Sequence, residues 1–180
     1  EMSFSYEYPR PALTVDCAGF DDAQRAAAEG RLHLQINDPA APAMLDHYGR
    51  ELGARLPVHV HLDTGMSRAG LSEDQFAQVL EELPSYPNLR LAGVTSHFAT
   101  ADGDLAFTYQ QLARFDRAVD ASRRHIGPDV VQHVANTFAA CRDRRFHKSI
   151  VRIGLGLHGH RPNLTASRPI LPFKRKLQHI

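Results

Sequence analysis

The feature that most constrains this chain is an alternation. Short β-rich runs are separated by helical patterns, and polar groups follow the runs. Residues 12–15 (ALTV), 31–36 (RLHLQI), 58–62 (VHVHL), 89–96 (LRLAGVTS), 130–134 (VVQHV) and 150–157 (IVRIGLGL) read as strands. Residues 21–29, 42–54, 73–83 and 105–125 read as helices between them. Strand–helix–strand repetition with short connections predicts a parallel sheet with helical crossovers. Six such strands fit a doubly wound sheet or part of an eight-stranded barrel. A complete barrel needs roughly 250 residues, and 180 are present.

Local signals support the pattern. Ser72 followed by Gln75 is a capping box, which predicts a helix start, and Pro84 ends that helix. Leu105, Leu112, Phe115 and Val119 recur at helical spacing and predict a buried stripe. After Gly159 the texture changes: HRPNLTASRPILP is loop-like and FKRKLQHI alternates like a single strand. The expected division is an unassigned segment at 1–10, a partial barrel at 11–160, and at 161–180 a linker entering a β-rich domain that is cut off. Phe4, Tyr6 and Tyr8 are candidates to cover a sheet edge.

Composition narrows the function classes. A net charge of +1 with histidines neutral gives no electrostatic case for nucleic acid. No apolar run reaches about 18 residues, so no membrane span is expected. The opening EMSFSYEYPRP has neither a basic nor an apolar leader region and does not read as a signal peptide; the expectation of a cytoplasmic protein comes from cysteine usage. Cys17 and Cys141 lie far apart and form no CxxC, which argues against a disulfide framework or zinc knuckle. The NLT at Asn163 reads as a chance sequon.

In parallel α/β folds, functional residues gather at the carboxyl ends of strands. The third strand candidate ends in Asp63, Thr64, Gly65 and Met66, with Arg68 in the following loop. The fourth ends in SHFATAD, offering His97 and Asp102. The fifth ends in HVANT, offering His133, Asn136 and Thr137. The sixth carries Arg152, Gly154 and Gly156. Four consecutive strands thus bring polar groups to one end. Period two puts Val58, Val60 and Leu62 on one face and His59, His61 and Asp63 on the other. In a barrel the second face points inward, where each histidine needs a partner.

Two chemistries fit these residues. His59, His61 and Asp63, joined by His97 or His133, would suit a metal-dependent hydrolase. Thr137, Arg152 and the Gly154–Gly156 backbone would suit an anionic, phosphate-bearing cofactor.

The motifs HLDTGMSRAG, GVTSHFATADGD, Gln111-x-x-x-Phe115, HVANT and VRIGLGLHG, taken in order, resemble alanine racemases. Those are pyridoxal-phosphate (PLP) enzymes with a (β/α)8 barrel followed by a β-rich domain. The likeness runs from Pro11 to Ile180. It implies a partial TIM barrel, approximately strands 3–8, and interconversion of L- and D-alanine for cell-wall precursors, with serine as an alternative substrate. It also implies a homodimer when full length.

The resemblance assigns roles by position. Arg68 matches the arginine that bonds the PLP phenolic oxygen and places the substrate carboxylate. His97 matches the histidine beside the cofactor ring. Asn136 lies at the active-site end of its strand, and Thr137 stands where a serine usually binds the phosphate. Arg152 matches the arginine facing the pyridine nitrogen, and Gly154 and Leu155 would donate backbone N–H groups to the phosphate. Because arginine only donates hydrogen bonds, that nitrogen should stay unprotonated, and the ring becomes a weaker electron sink.

Some positions depart from the family pattern. His61 stands where many members carry a carbamylated lysine. A neutral histidine there can accept a hydrogen bond from Arg68 but cannot form the stable carbamate. His158 replaces a common tyrosine. No segment matches the first-strand lysine that bonds the cofactor, since Lys148, Lys174 and Lys176 lie in other contexts, and none matches the catalytic tyrosine of the β-rich domain. The expectation is an incomplete chain, inactive by itself, with open sheet edges that favour self-association. The competing readings are a catalytically inactive PLP- or phosphate-binding homologue and the metal-dependent hydrolase.

Overall fold

The computed structural model describes Ala26 and residues 29–158. Four parallel strands lie side by side in chain order: β1 (Leu34–Ile36), β2 (Leu56–His61), β3 (Leu89–Thr95) and β4 (Val131–His133). Helix α1 (Ala41–Glu51) joins β1 to β2, α2 (Glu73–Glu82) joins β2 to β3, and α3 (Leu105–Ala121) joins β3 to β4. A short α4 (Thr137–Arg142) follows β4.

Order β1-β2-β3-β4 resolves the two architectures. A doubly wound sheet reverses its strand order, whereas a barrel adds each strand beside the last. The faces agree. Leu56, Val58, Val60 and Leu62 are fully buried against Phe76, Val79 and Leu80 of α2, with Phe115, Ala118 and Val119 of α3 in the same core. His59 and His61 point to the opposite face. One helix-covered apolar face and one polar face make this part of an α/β barrel, not a sheet covered on both sides.

The elements start where local chemistry dictates. Ser72 Oγ accepts the Gln75 N–H while the Gln75 side chain accepts the Ser72 N–H, closing the expected capping box of α2. A cap of this kind stabilises a helix by about 1 kcal/mol. Asp104 caps α3 by accepting the Phe107 N–H. In the α3 stripe Phe115 and Val119 are buried, whereas Leu105 and Leu112 are only partly so. The polar Thr108 and Gln111 share that buried face, which apolar periodicity alone does not reveal.

Four of the six expected strands are present at these positions, and β1 is shorter than predicted. The expected strand at 150–157 is corrected. Ser149 N–H and Arg152 N–H donate to Gln132 O and Ala135 O alongside β4, but no ladder follows. Instead the Thr137 hydroxyl accepts the Gly154 and Gly156 N–H groups, and Leu155–His158 forms a 3-10 turn. The helix expected to 125 ends at Ala121 and continues as a separate 3-10 turn, Arg123–His125. Helix α4 was not anticipated. The expected strand at 12–15, the segments 1–10 and 161–180, and all of helix 21–29 except Ala26, Glu29 and its end lie outside the described residues.

Candidate functional site

The loop after β2 is a closed, tethered turn. Asp63 N–H donates to Leu71 O, and Leu71 N–H donates to His61 O, so residues 63–70 leave and rejoin the sheet at one place. Within it, Asp63 Oδ1 accepts from the N–H groups of Gly65, Met66 and Ser67, at 2.9, 2.9 and 3.1 Å. Burial alone would raise the Asp63 pKa, but these three N–H donors outweigh it and hold the carboxyl below its usual value. Ser67 takes a positive φ of 54°, and Gly70 a φ of 121° against Asp63 and His61, where a Cβ would meet the Asp63 nitrogen at 2.9 Å. The turn delivers Arg68, which is exposed and makes no hydrogen bond among the described residues. Its charge nevertheless lowers the basicity of His61 and His97.

The loop after β3 is clamped from α3. Gln111 is fully buried, accepts the Ala99 N–H at 2.9 Å, and donates to the His97 carbonyl at 3.2 Å and to Thr64 Oγ1 at 3.3 Å. Thr64 and Ser96 hydroxyls meet at 2.8 Å. One amide thus ties the loops carrying Arg68 and His97 to a single helix.

Arg152 lies at the centre. Its Nη1 donates to His133 Nδ1 at 2.5 Å, to the His133 carbonyl at 3.0 Å and to Thr95 Oγ1 at 3.2 Å. Its Nη2 donates to the carbonyls of Ser96 at 2.8 Å and Val134 at 3.3 Å, and approaches His97 Nδ1 at 3.3 Å. Nε makes no hydrogen bond among the described residues. Burial lowers the Arg152 pKa to about 10, so it remains a cation at neutral pH. Burial first, and then this cation, lower the pKa of His97 and His61 to about 4 and that of His133 to about 2. The interior histidines are therefore neutral.

At the far side, Asn136 caps α4. Its Oδ1 accepts the Ala139 N–H at 3.1 Å and its Nδ2 donates to Phe98 O at 3.3 Å, so both ends of the amide hold loops together. Thr137 Oγ1 accepts from Gly154 N–H and Gly156 N–H, each at 3.1 Å. The hydroxyl keeps a proton to donate, and nothing lies within 4 Å of where a Cβ on Gly154 would stand. The Gly154 and Gly156 N–H groups are taken by Thr137 Oγ1, so the Thr137 hydroxyl proton is the donor this turn keeps for an anion, and no carboxylate is bonded to Thr137, Gly154 or Gly156 among the described residues. Leu155 is exposed at the start of the 3-10 turn.

Not every expected partnership forms. His61 does not accept from Arg68, because its Nδ1 accepts the Gln35 side-chain amide at 2.5 Å. Asp63 is consumed by its own turn, and no three His, Cys, Asp or Glu side chains among the described residues could hold a metal ion. The hydrolase arrangement of His59, His61 and Asp63 is not assembled. Lys148 pairs with Asp116 at 2.6 Å, away from the interior. The structure adds His33 and Gln35, both on the polar face of the second run RLHLQI, where alternation could have marked them.

Comparison with known proteins follows the same line. Residues 10–162 match the family model described as the alanine racemase N-terminal domain. An alanine racemase of Synechocystis sp. is 35% identical over 176 residues, covering 94% of this chain and 47% of that protein. A solved alanine racemase of Clostridium difficile 630 superposes with a TM-score of 0.70 at 26% identity, covering 81% of this chain and 41% of the other. One from Corynebacterium glutamicum gives 0.67 at 29% identity, covering 79% and 40%. The chain spans about half the length of the curated relatives it matches.

Proposed function

This chain belongs to the alanine racemase family, and we propose that it is the barrel part of a PLP-dependent racemase that interconverts L- and D-alanine. The observation that carries the proposal is Arg152, a buried cation held by His133, Thr95, Ser96 and Val134 beside an anion-compatible turn at Thr137. The family likeness supplies what each group would meet.

When bound, PLP supplies an electron-withdrawing ring that makes the amino acid's Cα–H acidic. The Thr137 hydroxyl and the Leu155 N–H would hold the phosphate, with Gly154, whose own N–H is given to Thr137, leaving open space beside them. Arg152 donates a hydrogen bond toward the ring nitrogen and keeps its own proton. Arg68, presented by the Asp63 turn, orients the substrate carboxylate and the phenolic oxygen. His97 stands between Arg152 and Arg68, neutral, and Asn136 fixes the loop that carries Thr137. No described residue is assigned the Cα proton.

Several finer readings rest on the family likeness: PLP as the cofactor, a cytoplasmic homodimer, D-alanine supply to the cell wall, and serine as a second substrate. The test is direct. Full-length protein is purified with PLP and supplied with L-alanine, and D-alanine is measured by a coupled oxidase assay. Interconversion with cofactor absorbance near the visible edge is expected. An intact preparation with neither would sink the proposal.

A further inference from the structure

Three histidines form one hydrogen-bonded row across the inner face of the sheet. His33 Nδ1 lies 2.8 Å from His59 Nε2, and His59 Nδ1 lies 2.7 Å from His133 Nε2. The row ends on Arg152, whose Nη1 is 2.5 Å from His133 Nδ1. The last contact fixes all the others. A guanidinium only donates, and a neutral imidazole has one donor and one acceptor nitrogen. His133 Nδ1 therefore accepts, and its proton sits on Nε2. That proton is given to His59 Nδ1, so the His59 proton also sits on Nε2. It is given in turn to His33 Nδ1. Donation runs in one direction, from Arg152 through His133 and His59 to His33.

The row has to cross β3, which lies between β2 and β4. It does so because position 93 is glycine. A Cβ there would stand 2.3 Å from His59 Nδ1 and 2.5 Å from His59 Cε1. A register shift between Val58 and His59 sets Gly93, not Ala92, opposite His59.

We propose that His33 and His59 are positioning residues for Arg152, acting through His133: the row locks one tautomer in each ring and so keeps an acceptor aimed at the guanidinium. An added proton at His59 or His133 would place two N–H groups face to face. The surroundings oppose it. Burial first, then repulsion from protonating His59 beside His33 and from Arg152 and Arg90, lowers His59, while burial, Arg152 and the same repulsion with His59, His61 and His33 lower His133. The consequence for catalysis rests on the racemase reading above, but the hydrogen-bond direction does not.

The experiment is long-range proton–nitrogen correlation NMR on the full-length protein with 15N-labelled histidine, at neutral pH, with and without PLP. His33, His59 and His133 should each show a protonated Nε2 and a bare Nδ1. In Arg152→Leu, His59 should lose this single tautomer although it does not touch Arg152. A packing role alone would leave His59 unchanged, and that result overturns the proposal. So does a proton on Nδ1 of His59 or His133 in the unaltered protein. Should Arg152→Leu fail to fold, the tautomers of the unaltered protein still decide. His59→Phe keeps a ring but cuts the row, and kcat is expected to fall about tenfold with KM little changed. An intact row in a protein without racemase activity overturns the function alone, and mixed tautomers in an active enzyme overturn the row alone.

Discussion

Gln111 accepts the Ala99 N–H at 2.9 Å from the fully buried face of α3, and the same amide donates to the His97 carbonyl. A helix in the outer layer thereby fixes a loop in the active end of the barrel. Gln111→Leu preserves volume but strands the Ala99 N–H and the His97 carbonyl without partners. Each such buried group costs about 1–3 kcal/mol, so a loss of about 2–4 kcal/mol is expected in urea denaturation, with a fall in turnover. A variant within about 0.5 kcal/mol of the parent would show that this clamp is replaced by water.

The interior histidines predict acid sensitivity. Folding lowers the pKa of His59, His61 and His97 from 6.5 to about 4, and of His133 to about 2. As pH falls through 6.5 the unfolded chain takes up protons that the folded chain refuses. The stabilisation is complete above pH 6.5 and is lost progressively toward pH 4. Each refused proton contributes about 1.4 kcal/mol per pH unit. Thermal midpoints measured between pH 7.5 and 4.5 should drop steeply below about 6.5, and substitution of His133 by Asn should flatten the slope. A pH-independent midpoint in this range would contradict the neutral cluster.

The alternation of strands and helices was readable because β2 and β3 are long and strongly patterned, and the Ser72–Gln75 box marks α2 locally. The run at 150–157 misled because its β-branched residues are real strand formers. Its fate is set by Thr137, a hydroxyl distant in sequence that captures the Gly154 and Gly156 N–H groups. The motif resemblance singles out Arg68, His97 and Arg152, and the structure brings His97 and Arg152 within 3.3 Å of each other. The partner of His61 was not. Whether its acceptor nitrogen faces Arg68 or Gln35 depends on the pairing of β1 with β2, a tertiary fact. His33 was passed over for the same reason, since its value comes from register and from the gap at Gly93.

Asp63 tests how Arg68 is presented. Asp63→Ala removes the acceptor for three successive N–H groups in a turn where Ser67 already holds a positive φ. A stability loss of about 1–2 kcal/mol is expected, as for loss of a strong cap. On the proposed function, the larger effect should fall on the amino acid: KM should rise severalfold more than kcat falls, because Arg68 is misplaced while the Thr137 turn is untouched. Asp63→Asn, which keeps one acceptor oxygen, should recover most of the loss. A kcat defect with unchanged KM would argue that the turn serves the chemical step instead.

Thr137 tests the anion turn. Thr137→Val keeps the buried shape but removes the oxygen on which the Gly154 and Gly156 N–H groups converge. Two N–H groups lose their acceptor, and the hydroxyl proton that would face a phosphate is gone. PLP affinity, followed by fluorescence titration of the full-length protein, should weaken by about tenfold, equivalent to about 1.4 kcal/mol. Thr137→Ser restores the oxygen without the methyl group and should bind nearly as the parent does. The methyl now lies against Gly156, where a Cβ would come within 2.8 Å of Thr137 Cγ2. The serine variant should consequently tolerate Gly156→Ala better than the parent does. Equal affinity in the valine and serine variants would place the phosphate away from Thr137.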